Sequence, residues 1–201
     1  MIVTVASFKG GVGKSTTSIH LASYFSQFGK NNVLLLDGDA NRSVSNWAER
    51  GNLPFLVADE RHAAKYSRDA DHIIIDTAAR PNEEDLKTLA EGCDLLILPC
   101  VPDVLSLEAM MLTVETLKKL NSDSYKVLLT IVPPKPNRDG DEARKSLLKA
   151  DLPLFDTPIR RFQAYKKAAL LGVPVDRVND NKSKIAWQDY QDVCKEIEEL
   201  Q

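Results

Sequence analysis

Between an apolar β-branched run, Ile2 to Val5, and a helix-like pattern carrying Ile19, Leu21, Ala22, Tyr24 and Phe25 stands the stretch Lys9-Gly10-Gly11-Val12-Gly13-Lys14-Ser15-Thr16. Strand, glycine loop, Lys-Ser and helix in that order make a cradle for nucleotide phosphates. Backbone N–H groups of the loop converge on the anion, the helix N-terminus adds positive dipole, Lys14 adds a full charge and the Ser15 hydroxyl can ligate Mg²⁺. A turn that merely joined a strand to a helix would not need Lys9, Lys14, Ser15 and Thr16 together. The common spacing G-x-x-x-x-G-K-[ST] fails at one position: Phe8 stands where its first glycine would fall, and a second lysine, Lys9, precedes Gly10-Gly11.

The rest of the chain alternates apolar runs with amphipathic stretches. The pattern predicts strands near 2–7, 32–37, 54–58, 72–76, 94–99, 125–132 and 154–159, and helices near 14–28, 41–50, 83–92, 104–120, 139–150, 161–171 and 183–200. Continuous apolar runs such as Val33–Leu36 and Ile73–Ile75 are expected where both faces of a sheet are covered. The expected fold is α/β, a doubly wound, mostly parallel sheet flanked by helices, forming a single domain over 1–201 with its motif loops at the carboxyl ends of the strands. Pro133-Pro134-Lys135-Pro136-Asn137-Arg138-Asp139-Gly140 reads as a loop at that same edge.

Several function classes lose support. The net charge is −3, so any nucleic-acid contact has to come from a local basic patch. No apolar run is long enough to span a bilayer, and Met1–Val5 has no basic region before it and no cleavage site after it, which favours a first strand in a cytoplasmic protein over a signal peptide. Cys93, Cys100 and Cys194 show no C-x-x-C spacing and read as small buried hydrophobes.

Two further buried runs end in acids. Val33-Leu34-Leu35-Leu36 leads into Asp37-Gly38-Asp39, and His72-Ile73-Ile74-Ile75 leads into Asp76-Thr77; a third run, Asp94–Pro99, leads into a loop and helix. With the K-G-G-x-G-K-[ST] loop, these features resemble the ParA/MinD family of deviant Walker A ATPases through nearly the whole chain. The resemblance implies a P-loop NTPase fold, with ATP and Mg²⁺ bound by Gly10, Gly11, Val12, Gly13, Lys14, Ser15 and Thr16. It implies that Lys14 bridges the β- and γ-phosphates and that Thr16 contacts the α-phosphate. Ser15, Asp76 and the nearby Asp37 would serve the metal, and Asp39 would orient the attacking water. Pro133 and Pro134 would pack on the adenine. The bland alternative for each acid is a helix cap or a structural acceptor, and it weighs most on Asp37. Lys9, the signature lysine, would reach across a two-fold interface to the partner's nucleotide, so that ATP controls dimerisation and hydrolysis releases it.

The chain departs from the family twice, with Ala40-Asn41-Arg42-Ser43 after the D-x-D where Pro-Gln is common, and Ala78-Ala79-Arg80 where a proline often follows Walker B. Each departure places an arginine beside a switch, and basal turnover is expected to be slow. No extension is expected before the first strand, which fits the short ParA type, including plasmid-partition and carboxysome-positioning (McdA-like) ATPases; the Asn41-Arg42-Ser43…Trp47 stretch leans toward the latter or an orphan ParA. Such proteins work on the nucleoid through non-specific DNA and an adaptor of ParB or McdB type. Arg160, Arg161, Lys166, Lys167, Lys182 and Lys184 are the candidate DNA contacts. A MinD-like membrane regulator is disfavoured by the acidic stretch from Gln188 to Gln201. A metabolic ATP-dependent ligase of the dethiobiotin synthetase kind is the other alternative, although Ala40–Asp71 shows no clear substrate pocket of its own.

Overall fold

β-Branched and leucine-rich runs become the strands of one sheet in the computed structural model, which describes residues 1–28, 32–79, 81–120 and 122–200. The strands are β1 (Ile2–Ser7), β2 (Val33–Gly38), β3 (Leu56–Asp59), β4 (His72–Ala79), β5 (Leu95–Cys100) and β6 (Tyr125–Leu129). They run in the order β3-β2-β4-β1-β5-β6, and every pair is parallel. The helices are α1 (Lys14–Phe28), α2 (Ser43–Arg50), α3 (Ala63–Tyr66), α4 (Glu83–Glu91), α5 (Val104–Lys119), α6 (Asp139–Lys149), α7 (Gln163–Leu171) and α8 (Ser183–Glu198).

Parallel pairing requires crossovers, and their helices cover both faces. On one face Val3, Val5, Leu35, Ile74 and Ile97 pack against α1, α2, α7 and α8 through Ile19, Trp47, Ala168 and Tyr190. On the other, Ala6, Leu96 and Leu98 meet α4, α5 and α6 through Leu86, Leu117 and Leu147. His20 sits at the centre of the first layer. Its Nδ1 lies 2.6 Å from the Thr16 carbonyl, its Nε2 accepts from the Val175 N–H, and its ring stacks on Tyr190. Burial lowers the imidazole to about 4 despite the bond to Thr16, so the ring is neutral at physiological pH.

Register sets the site. Asp37 on β2 pairs with Asp76 on β4, and Asp76 pairs with Val5 on β1, so both acids lie level with the strand that feeds the glycine loop. Two expectations are corrected here. The strand expected at 125–132 stops at Leu129, because Ile131 turns the chain into the left-handed region (φ 53°). The strand expected at 154–159 does not form. The segment runs beside β6 and makes isolated bridges at Leu154 and Arg160, but side chains intercept its backbone groups. Arg144 donates to the carbonyls of Phe155 and Asp156, and Glu196 accepts from the N–H groups of Asp156 and Thr157. Pro158 has no N–H to give. Short α3, between Glu60–His62 and Ser67–Asp69 turns, was not foreseen.

Candidate functional site

The glycine loop closes directly onto α1, whose first residue is Lys14 and whose first turn carries no acid to compete with a ligand for its N–H groups. Gly11 (φ 78°) and Gly13 (φ 88°) hold the left-handed conformations that wrap the loop, and a side chain at either position would strain it. Val12 is buried, and its carbonyl accepts from Thr130 Oγ1 at 2.7 Å, which ties the loop to the end of β6.

A cavity of about 590 Å³ lies above the loop. Gly10, Gly11, Gly13, Lys14, Ser15 and Thr16 line one side, Asp39 and α2 residues including Asn46 and Arg50 the other. The sequence-predicted phosphate residues and Asp39 therefore come together. Asn41, one of the departures noted above, donates to Asp39 Oδ1 through both its backbone N–H and its side chain, at 2.8 and 2.9 Å.

Asp76 is fully buried beneath the loop. Its Oδ2 accepts from Ser15 Oγ (2.7 Å) and its Oδ1 from Ser18 Oγ (3.0 Å). Burial pushes the carboxyl up to about 6, against the opposing pull of Ser15, Ser18 and Lys14. A hydroxyl and a desolvated carboxylate, both hard oxygen donors with an adjoining cavity, fit Mg²⁺. Asp37 is spent differently. Its Oδ2 accepts from Ser45 N–H and Oγ, and its Oδ1 from the Asp39 N–H, so the carboxylate ties α2 to the end of β2.

The Asp76 shift has a measurable sign. A folded-state value above the ordinary 3.8 means that this group favours folding at low pH and that its contribution is lost as pH rises through about 6. Asp76→Asn should therefore stabilise the nucleotide-free chain by on the order of 2–3 kcal/mol at pH 7.5, with the gain vanishing near pH 4. Thermal melts of both proteins across that range test it, and an equal offset at every pH would contradict it. His20, depressed to about 4, acts in the opposite sense, costing stability as pH falls from about 6.5, but it is common to both proteins and cancels in the difference.

A second, apolar pocket of about 220 Å³ shares Gly13, Thr16 and Ile131 with the first and extends over Ile159, Phe162 and Tyr165. Pro133 and Pro134, which follow Ile131 in the chain, are half-buried and exposed respectively and do not line it. Arg161 and Lys166 stand at its edge. Arg160 is engaged by the buried Asp189, and Lys167 is paired with Asp180. Lys182 and Lys184 are exposed and, like Arg161 and Lys166, form no ion pair among the described residues. Arg160 and Arg161 precede α7, Lys166 and Lys167 lie within it, and Lys182 and Lys184 sit at the start of α8, where Asp180, the partner of Lys167, also accepts from the Lys182 N–H. Arg42 caps α2 in a left-handed conformation near Glu49, and Arg80 lies outside the described residues.

Lys9 is held within its own chain. Its Nζ donates to Asp103 Oδ1 (2.9 Å), Asp103 Oδ2 (3.2 Å) and Ser106 Oγ (2.8 Å), at the N-terminus of α5. Burial works against the Asp103 carboxylate, but the bonds from Lys9 and Ser106 prevail and hold it below the usual range. Sequence reasoning missed Ser18, Thr130, Ile131, Asn46, Arg50, Asp103 and Ser106. Only Ser18, one helical turn after Ser15, carried a signal that spacing alone would have given.

Comparison with known proteins agrees with this geometry. The family model described as CbiA, the CobQ/CobB/MinD/ParA nucleotide binding domain, matches residues 3–175. The chain is 32% identical over 208 residues to the maintenance of carboxysome distribution protein A of Gloeobacter kilaueensis, covering 98% of this chain and 94% of that protein. It shares its fold with a putative plasmid partition protein of Borrelia burgdorferi B31 bound to AMPPNP (TM-score 0.71, 22% identity, 97% and 98% covered). The same holds for the ATP complex of an aspartate-to-alanine variant of Cyanothece McdA (TM-score 0.70, 17% identity, 97% and 95% covered). With its phosphate loop, its paired acid strands and its all-parallel sheet accounted for, the chain belongs to the CobQ/CobB/MinD/ParA nucleotide-binding domain family.

Proposed function

We propose that this chain is an ATP-switched, dimerising ATPase that positions a cargo, a plasmid or a protein body, by binding DNA without sequence preference and releasing it when an adaptor of ParB or McdB type stimulates hydrolysis. The observation that carries the reading is the convergence of the Gly10–Thr16 loop and Asp39 on one cavity, above the Ser15–Asp76 pair and beside Lys9. The relative in Gloeobacter, named for carboxysome distribution, supports cargo positioning.

In this mechanism the loop N–H groups and Lys14 hold the triphosphate, while Ser15 and Asp76 would hold Mg²⁺, which would supply charge neutralisation for phosphoryl transfer. Ser18 fixes Asp76 Oδ1, so Oδ2 and Ser15 stay directed at one point. Asp39, held by Asn41, orients the attacking water, and Ile131 and Phe162 flank the base. Asp37 supports α2 and is not needed as a ligand. The DNA surface rests on Lys182, Lys184, Arg161 and Lys166, the four of the six candidate cations that form no ion pair among the described residues. A membrane anchor at α8 is disfavoured because its apolar residues, Trp187, Tyr190, Val193 and Ile197, are buried against the sheet; among the described residues no helix is long and apolar enough to cross a bilayer.

Two measurements on one preparation test the proposal. ATP, and not ADP, should convert monomer to dimer in sedimentation, and the dimer should bind random-sequence duplex DNA with a steep salt dependence that Lys182→Ala with Lys184→Ala makes shallower. DNA binding indifferent to nucleotide would sink the switch. Lys9→Ala should bind ATP normally and stay monomeric; an ATP-dependent dimer that survives the change would remove the cross-interface role.

A further inference from the structure

Lys9 is the residue whose location is most informative. An unengaged lysine at a loop tip would extend into solvent, where its ammonium is best hydrated. Here all three bonds of the ammonium go to one corner, the two Asp103 oxygens and the Ser106 hydroxyl. That corner is itself ordered: Ser106 Oγ donates to Asp103 Oδ2 at 2.8 Å, and the Ser106 N–H donates to Asp103 Oδ1 at 2.9 Å as the cap of α5. The acceptors therefore stay in place whether or not Lys9 occupies them. The neighbouring Val104 and Leu105 are 70% and 68% exposed, so the corner presents apolar surface beside the lysine.

We propose that Asp103 and Ser106 form an intrasubunit holding site for Lys9, and that assembly of the ATP dimer requires Lys9 to exchange this site for the triphosphate of a second copy of the chain. The inference rests on the cross-interface role of Lys9 stated above and adds the residues that oppose it. Asp103 is a positioning residue that acts through Lys9. The exchange trades a carboxylate for a triphosphate, so a diphosphate, offering less charge, competes less well for the lysine. Lys9 and Asp103 side chains are 37% and 45% exposed, and an ion pair of that kind shifts an equilibrium by about two- to fivefold. A two-fold dimer undoes two of them, which sets the combined effect at about tenfold.

The test is Asp103→Asn, which keeps an acceptor for the Ser106 N–H and so preserves the helix cap while removing the charge that holds Lys9. The expected result is an ATP-dependent dimerisation constant about tenfold more favourable than in the unaltered protein, with ADP affinity unchanged and a melting temperature lower by no more than about 4 °C, since the monomer loses the same ion pair. Ser106→Ala, which removes one of the three bonds, should give a smaller gain in the same direction. A dimerisation constant for Asp103→Asn that is unchanged or weaker overturns the holding site. The two readings fail separately: Lys9→Ala dimerising with ATP defeats the cross-interface role, whereas Lys9→Ala monomeric together with Asp103→Asn unaltered defeats only the holding site.

Discussion

Lys14→Ala is expected to lower affinity for ATP and ADP by about 100-fold or more, measured by titration calorimetry on the folded variant. Lys14 is the first residue of α1, only 7% exposed, and faces the cavity together with the loop glycines. Removing one member of a desolvated, charge-assisted contact costs about 2–5 kcal/mol, which is the source of the expected factor. The ammonium sits close enough to Asp76 to pull its carboxyl downward, so the variant should also push the Asp76 titration further up. Affinity within a few-fold of the unaltered protein would contradict the phosphate-site assignment, since no other lysine lines that cavity among the described residues.

Asp39→Ala should separate binding from turnover. The side chain is half-buried on the wall opposite the loop and is held by Asn41, with no hydrogen bond or ion pair to Lys14 or Ser15 among the described residues. ATP affinity should stay within a few-fold while hydrolysis falls by about 10²-fold or more, the usual scale for a positioned acid–base group, and the dimer should accumulate in ATP. Single-turnover hydrolysis with parallel sedimentation reads both. Normal turnover would take Asp39 out of the chemistry. Asp37→Ala is the informative contrast: it should cost stability, because it frees Ser45 and the start of α2.

The parts of the site legible in the sequence are those that are local. The loop, Lys14, Ser15 and Thr16 are contiguous, so their joint presence fixed a strand–loop–helix before any tertiary contact was known. Asp76 was legible because it terminates an apolar run, and in a parallel sheet such ends gather at one edge; Asp39, two residues past the end of the Val33–Leu36 run, was singled out over Asp37 by the family resemblance. The long-range partners were not. Thr130 meets Val12 across 118 positions and Lys9 meets Asp103 across 94, and neither pair leaves a periodic trace. The missing strand at 154–159 failed for the same reason, since Arg144 and Glu196 take its backbone bonds from elsewhere in the chain. Basic residues looked equivalent on paper until Asp189 and Asp180 claimed two of them.

The place of β1 in the sheet bears on how the protein is made. Its hydrogen-bonding neighbours are β4 and β5, met first through Ile73 and Leu95. The strand that carries the phosphate loop is made before the sheet's other strands, yet it stays without a neighbour in the sheet until some seventy residues later, while β2 and β3 can already pair with each other. A nascent chain that stalls before β4 emerges has the complete loop sequence and no nucleotide pocket, and its apolar first strand is then a target for chaperones.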